Sequence, residues 1–360
     1  MTIKSPLLSR PAAVEAGGAD AGVAAHYGEP LREQRALAAG TAVVDLSSRG
    51  VVTVSGPDRL SWLNTLSSQQ LTGLAPGQST ELLLLSVQGR IEFDARVVDD
   101  GATTWLIVEG AEAPPLAEWL TRMKFMLRVE VADVSADWAV LGSTRRIGEW
   151  SQLVVWEDPW PHVGAGGYSY AVVGEDSHPG LERPWFEYLV PAAELAATVG
   201  ERALAGTLAA EALRIAAWRP RWGAETDDKT IPHELDLLRT AVHLAKGCYK
   251  GQETIARVHN LGHPPRRLVF LQLDGSQHTL PAVGSEVRAG DRKVGAVTSV
   301  GQHYEMGPVA LAVIKRSVAP DAVLTVADGD ETYAAAQELI VAPDAGQVVG
   351  RQTGFLRGAR

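Results

Sequence analysis

The hydrophobic period of this chain changes once, near residue 265, and that change limits the fold more than any other feature. Before it, helical and strand-like patterns alternate. Residues 51–54 read as a strand bounded by Gly50 and by Ser55-Gly56-Pro57. Leu60, Leu63 and Leu66 recur at helical spacing, which predicts a helix over 58–71 with Pro57 at its start. Residues 82–85 read as a buried strand, and Ile91, Phe93, Ala95 and Val97 alternate with polar residues as in a half-buried one. Residues 105–108 form another strand. Pro114-Pro115 then opens a helix whose apolar face is Leu116, Trp119, Leu120, Met123 and Leu127, and 129–134 is a strand again. The order β-α-β-β-β-α-β predicts a ferredoxin-like or related α+β sheet with helices on one face. A short helix over 30–39 precedes it.

Residues 138–191 are strand-like, with turn residues between short runs. The next strong helix is 199–217, with Leu204, Leu208, Ala212 and Ile215 as its stripe and Pro220 as its stop. From Arg267 the pattern is all-β, with short runs at 268–273, 286–288, 294–300 and 309–314, as in a small barrel or sandwich. The predicted class is therefore α+β. A ferredoxin-like region spans 26–135, a second α+β region that can interleave with it spans 136–259, and a C-terminal β-barrel spans 266–343. Residues 260–265 link them, and 1–25 and 344–360 read as tails.

Composition excludes several classes. The 360 residues are 46% hydrophobic and carry a net charge of −10, which argues against a protein that coats DNA. One cysteine, Cys248, makes no internal disulfide and cannot alone hold a cluster or a structural zinc. His259 and His263 have zinc-like spacing but lack two further ligands, so no metal site is expected. No apolar run reaches membrane-spanning length, and no secretory h-region is visible, so a cytoplasmic monomer is expected. Residues 211–267 hold ten basic against seven acidic side chains in this otherwise acidic chain, which suits a small anionic ligand.

The unusual segment is Lys246-Gly247-Cys248-Tyr249-Lys250-Gly251-Gln252-Glu253. Two cations flank the cysteine, which favours its thiolate, whereas composition alone reads a lone cysteine as a small buried hydrophobe. The segment is similar to the K-G-C-[YF]-x-G-Q-E signature of the YgfZ-type folate-binding proteins, a branch of the glycine-cleavage T-protein (aminomethyltransferase) superfamily. Val44-Asp45-Leu46-Ser47, Ser55-Gly56-Pro57-Asp58 with Trp62-Leu63-Asn64, Gly89-Arg90-Ile91 and 294–299 resemble further segments of that family.

The resemblance implies three domains in a ring around a tetrahydrofolate site, with Cys248 at its rim. It implies a folate-binding accessory protein for iron–sulfur assembly or repair, with iron–sulfur client or assembly proteins as partners. An aminomethyltransferase, which would be a folate-dependent one-carbon transferase, is the first alternative. A folate-independent RNA- or protein-binding module is the second. By the same resemblance Glu187, in Trp185-Phe186-Glu187, would accept the pterin's N–H edge, and Asp94 would help position the reacting nitrogen. Cys248, with Lys246, Tyr249 and Gln252, would carry the family-specific activity. Arg214 either binds folate or pairs with Glu211 at i,i+3. Arg257, Arg266 and Arg267 are candidates for the glutamate tail. Trp218 stands where the family usually has glycine, which would alter the pocket wall.

Overall fold

The chain is ordered well before the first predicted helix. The computed structural model describes residues 4–347. Leu7, expected in a tail, is 1% exposed and packs with Val43, Leu195 and Val199. Strands β1 (Val14–Glu15) and β2 (Ala24–His26) pair as an antiparallel ribbon. This segment reads as loose in sequence because its anchors are few and much of its fixing is through backbone atoms. Most of the expected 344–360 tail lies outside the described residues, but Ala345 is buried and its carbonyl accepts from His263 Nδ1 at 2.6 Å.

Helix α1 (Pro30–Ala38) begins on a proline, where a missing N–H removes no helical bond. Glu33 Oε1 accepts from the backbone of Tyr27 and Glu29 at 2.8 and 3.0 Å, satisfying donors that the helix start leaves open. After β3 (Ala42–Asp45), the predicted β-α-β-β-β-α-β run is present. It comprises β4 (Gly50–Ser55), α2 (Arg59–Leu66), β5 (Ser79–Leu85), β6 (Ile91–Asp99), β7 (Thr103–Val108), α3 (Ala113–Met123) and β8 (Glu130–Asp133). These strands form an antiparallel sheet in the order β5-β6-β7-β4-β8. Both helices cover one face, where Trp62, Leu63, Leu116 and Leu120 meet Val52, Val54, Ala95 and Leu106. Helix α2 stops at Leu66 rather than at 71, because Ser67 turns extended and Ser68 N–H bonds to the Leu83 carbonyl at 3.0 Å.

The second sheet contains β9 (Trp138–Ser143), β10 (Val154–Glu157), β11 (Phe186–Pro191) and β12 (Ala203–Ala205), flanked by α4 (Leu195–Val199) and α5 (Thr207–Ala216). Its order is β10-β11-β9-β3-β12, with β12 parallel to β3. Strand β3 therefore leaves the first unit and joins the second, so a boundary at 135 separates strands that pair. The region 199–217 is not one helix. Gly200, at φ +55, ends α4, and a short strand precedes α5. Leu208, expected in the buried stripe, is 50% exposed, and Ala209, Ala212 and Leu213 carry the buried face instead. The two sheets pack face to face, with Val51, Val98 and Ile107 of the first against Val44, Val140 and Leu189 of the second. Alternation along β4 explains this: Val51 faces the other sheet, while Val52 and Val54 face the helices.

After α6 (Gln252–Leu261), the chain forms β13 (Arg266–Leu273), β14 (Glu286–Ala289), β15 (Arg292–His303), β16 (Gly307–Lys315), β17 (Leu324–Asp328) and β18 (Glu331–Leu339). They close as a barrel in the order β13-β16-β15-β14-β17-β18, which leaves no open sheet edge. Leu268, Phe270 and Leu311 on its outside pack with Trp160, Trp218 and Leu235, fixing the barrel against the other two units. No helix among the described residues is long and apolar enough to cross a membrane.

Candidate functional site

A cavity of about 900 Å³ opens where these units meet. Its wall comes from residues 18–21 of the N-terminal segment, 47–50 between β3 and β4, 109–111 after β7, Glu211 and 221–224 after α5, and 298–300 of the barrel. Small-molecule sites commonly have volumes of roughly 300–1,000 Å³. The 109–111 turn reaches the 47–50 turn because Gly110 has no side chain: a Cβ there would lie 2.2 Å from the Ser48 carbonyl oxygen.

Arginines and carboxylates organise the wall. Arg221 forks onto Asp20 at 3.0 and 2.7 Å and donates to Glu109 Oε2 at 2.6 Å. Burial would raise Glu109, but Arg221, Arg49 and Arg96 outweigh it and hold that carboxyl down to about 2. Glu211 is likewise held down to about 2 against burial, chiefly by Arg214. Arg49 lines the cavity and donates from Nη1 to Glu187 Oε1.

Glu187 lies behind Arg49, fully buried on β11 and off the cavity wall. Its Oε1 also accepts from Trp185 Nε1 at 2.9 Å and lies 3.5 Å from Arg96 Nε. Burial opposes its ionisation, yet Arg49 and Arg96 hold it below the usual carboxylate range. Asp94, on β6, is half-buried among Glu81, Arg96 and Arg219 and is also off the wall. Burial and the Glu81 carboxyl push it above the usual carboxylate range, against the pull of Arg219 and Arg96. Glu112, 1% exposed, is pushed up to about 9 by burial and by Asp94 and Glu109.

The raised Glu112 carboxyl gives a signed pH dependence. A carboxyl whose pKa rises on folding stabilises least when the unfolded form is already ionised. Its contribution therefore falls as pH rises from about 4 toward 9. Glu112→Gln should flatten this fall: the melting temperature of the variant drops less than that of the parent between pH 6 and pH 9. Parallel curves would remove Glu112 as a source of the slope.

Arg214 is not a helix-surface residue. It is 5% exposed and donates to Glu211 at 2.9 Å, Glu225 at 3.0 Å, Ser299 at 2.5 Å and the Arg219 carbonyl at 2.5 Å. It ties α5 to the barrel behind the cavity and has its donors engaged. Trp218 also lies off the wall, 2% exposed beside His178. Its φ of +60 explains why glycine suits that position: it follows a helix end in the left-handed region.

The 246–253 motif forms a turn and the first residues of α6, away from the cavity wall. Cys248 is exposed there and does not line the cavity. Gly251, at φ +86, is closely approached: a Cβ would meet the Ser86 carbonyl oxygen at 2.6 Å. The motif's second glycine thus lets it lie on the β5–β6 turn. Lys246 donates to the carbonyls of Asn64, Ser67 and Gln69 at 2.5, 2.6 and 2.8 Å, closing the end of α2. Burial lowers its ammonium to about 8. Tyr249 is buried with Lys246 Nζ 5.2 Å from its ring centre, and Gln252 Nε2 donates to the Lys246 carbonyl at 3.2 Å. Arg257 pairs with Glu253 at 2.7 Å on an exposed helix face. Arg266 pairs with Asp227 and Glu234, and Arg267 is buried in the barrel, donating to the Val318 carbonyl at 3.1 Å. None of these three arginines lines the cavity.

Lys246→Met should cost about 3 kcal/mol or more in urea unfolding, at roughly 1–3 kcal/mol for each of the three carbonyls left without a donor. A loss under about 0.5 kcal/mol would mean that water replaces the ammonium.

The cavity residues that sequence reasoning missed are Arg49, Glu109, Arg221 and Asp20. Arg221 sits in the basic 211–267 stretch, which was a usable signal. Arg49 lies just past the Asp45-Leu46-Ser47 segment, and Glu109 ends an apolar strand before a glycine, but neither pattern names a ligand.

Residues 24–143 match the GCVT N-terminal domain family. An aminomethyltransferase of Nostoc sp. is 28% identical over 309 residues, covering 80% of each chain. One from Symbiobacterium thermophilum is 27% identical over 301 residues, covering 76% of this chain and 78% of its own. The structure of glycine cleavage system aminomethyltransferase T from Bartonella henselae superposes with a TM-score of 0.73, 17% identity and 93% and 94% coverage, which shows the fold. Together these matches support a place in the T-protein superfamily.

Proposed function

We propose that the protein binds a reduced folate, tetrahydrofolate or a one-carbon-substituted form, in the central cavity, and that it serves iron–sulfur protein assembly or repair. The observation that carries the folate reading is the cavity of about 900 Å³ at the junction of three units in a T-protein fold. A reduced folate joins a flat heterocycle to an anionic glutamyl end. The wall offers an indole, Trp222, for the heterocycle, and the hydroxyls of Ser47 and Ser48 beside the guanidiniums of Arg49 and Arg221, whose charges are shared with Glu187, Asp20 and Glu109. Size and the indole fit. The seat at Glu187 does not, because Arg49 stands between that carboxylate and the cavity.

The iron–sulfur reading rests on resemblance of the 246–253 motif, supported by the exposure of Cys248. A thiol away from the cavity wall acts on a partner protein rather than on a ligand held inside. Lys246, Tyr249 and Gln252 then shape the turn that presents it.

Titration calorimetry with 5-formyltetrahydrofolate is the test. One saturable site per chain is expected. At a ligand concentration about 100 times the dissociation constant, the folded state should gain about 2.7 kcal/mol. No heat with any reduced folate, together with a melting shift by RNA, would favour a folate-independent binding module. In a deletion strain, Cys248→Ala should fail to restore the activity of iron–sulfur enzymes; full rescue would remove the cysteine's role. The Nostoc and Symbiobacterium relatives are aminomethyltransferases, which favours a second reading, aminomethyl transfer to folate. Robust turnover with a lipoyl carrier protein would put that reading first.

A further inference from the structure

We infer that Arg49 sets the ligand preference of the cavity by covering Glu187, so that a bound heterocycle presents a hydrogen-bond-accepting edge to a guanidinium rather than an amino edge to a carboxylate. The inference deepens the folate reading and rests on it for the ligand class.

Three observations carry it. Glu187 is fully buried and off the wall, whereas Arg49 is on the wall and bonded to it. The crevice beyond Arg49, walled by Arg183, Trp185 and Ala210, holds only about 20 Å³. That is room for about one water and not for a ring. The third observation is the count of donors. Arg221 spends three of its five N–H donors, on Asp20 and Glu109. Arg49 has five N–H donors and spends one of them, on Glu187. Its Nε is buried without a partner. Of the cavity's two guanidiniums, Arg49 therefore keeps the larger unspent donor capacity. Glu187 acts through it as a positioning residue, together with Trp185 and Arg96, which hold the carboxylate in place.

A chemical consequence follows. A carboxylate seat reads a 2-amino-pyrimidine edge through its N–H groups, so removing the amino group leaves a buried acceptor unpaired. A guanidinium seat reads ring oxygen and nitrogen acceptors and is indifferent to that amino group.

The test compares 5-formyltetrahydrofolate with its analogue lacking the 2-amino group, by calorimetry, on the parent protein and on Arg49→Met. The parent should bind the two within about threefold of each other. Arg49→Met uncovers Glu187 and should bind the amino-bearing ligand at least tenfold more tightly than the analogue. A parent that loses tenfold or more on the analogue overturns the inference, and this arm needs no variant to fold. Equal binding of both ligands by a folded Arg49→Met overturns it as well. If the parent binds neither ligand while Arg49→Met acquires binding, the folate reading of the natural protein fails and the covering role of Arg49 stands.

Discussion

Replacing Arg219 with alanine is expected to remove about 3–5 kcal/mol of folding free energy, the range for breaking a buried ion network by deleting one partner. Arg219 is 5% exposed and joins β5 of the first sheet to residues 158–160 of the second unit. Its Nη2 donates to Glu81 at 2.6 Å, its Nε lies 3.3 Å from Asp158, and its guanidinium lies 4.9 Å from the Trp160 ring centre. Glu81 is itself 1% exposed and also accepts from Thr240 at 2.6 Å. Without the arginine, Glu81, Asp94 and Asp158 face one another with less compensation. Burial already raises Asp158 and Asp94, with Arg219 opposing that rise in each. Deleting it raises them further. The variant should therefore recover part of its stability at pH 5 and lose most at pH 8, since acids with raised pKa values stabilise in their neutral form. Urea unfolding at the two pH values measures this. A loss below about 1 kcal/mol with no pH dependence would mean the network is decorative.

Gly206→Ala should release the N-terminal segment. A Cβ at Gly206 would lie 2.1 Å from the Ala25 carbonyl oxygen and 2.4 Å from the His26 nitrogen, both backbone atoms that cannot rotate away. The Gly206 N–H also donates to Glu33 Oε2 at 3.0 Å. Alanine must push the β1–β2 ribbon off α5. The penalty of overpacking is about 1–3 kcal/mol. The specific sign is proteolysis: cleavage near residues 10–28 should rise strongly, because Asp20 leaves the Arg221 fork when the ribbon moves. Folate binding should weaken with it, since residues 18–21 form part of the cavity wall. Unchanged cleavage would show that α5 shifts instead and the ribbon stays.

Much of the fold was legible in the sequence because its signals are local. The β4-to-β8 run reads from periodicity alone, and the closing barrel reads from the change of period near residue 265. What escaped was set by partners far away in sequence. Strand β3 pairs with β9 and β12, and no pattern in 42–45 announces that. Leu208 falls in the first turn of α5, directly after β12 instead of mid-helix, and is exposed there while Ala212 and Ile215 of the same stripe are buried. The ordered N-terminus depends on a close backbone approach at Gly206.

The candidate site was less legible, for a related reason. Glu187, Asp94 and Arg214 were named by motif, and the structure places all three behind the cavity wall. The groups on the wall, Arg49, Glu109 and Arg221, are charged residues at strand and helix ends, where charge is common. Only the fold brings 47–50, 109–111 and 221–224 together. The motif around Cys248 was legible as a unit, but its glycine and lysine serve the turn and the end of α2, which sequence cannot separate from chemistry.

Hydrogen exchange of the full chain with and without saturating 5-formyltetrahydrofolate tests most directly whether the junction of the three units is the ligand site. Protection is expected at residues 47–50, 109–111 and 221–224, with the 246–253 turn unchanged. Binding that protects the Cys248 turn or the barrel's far side while leaving those three segments untouched would contradict it.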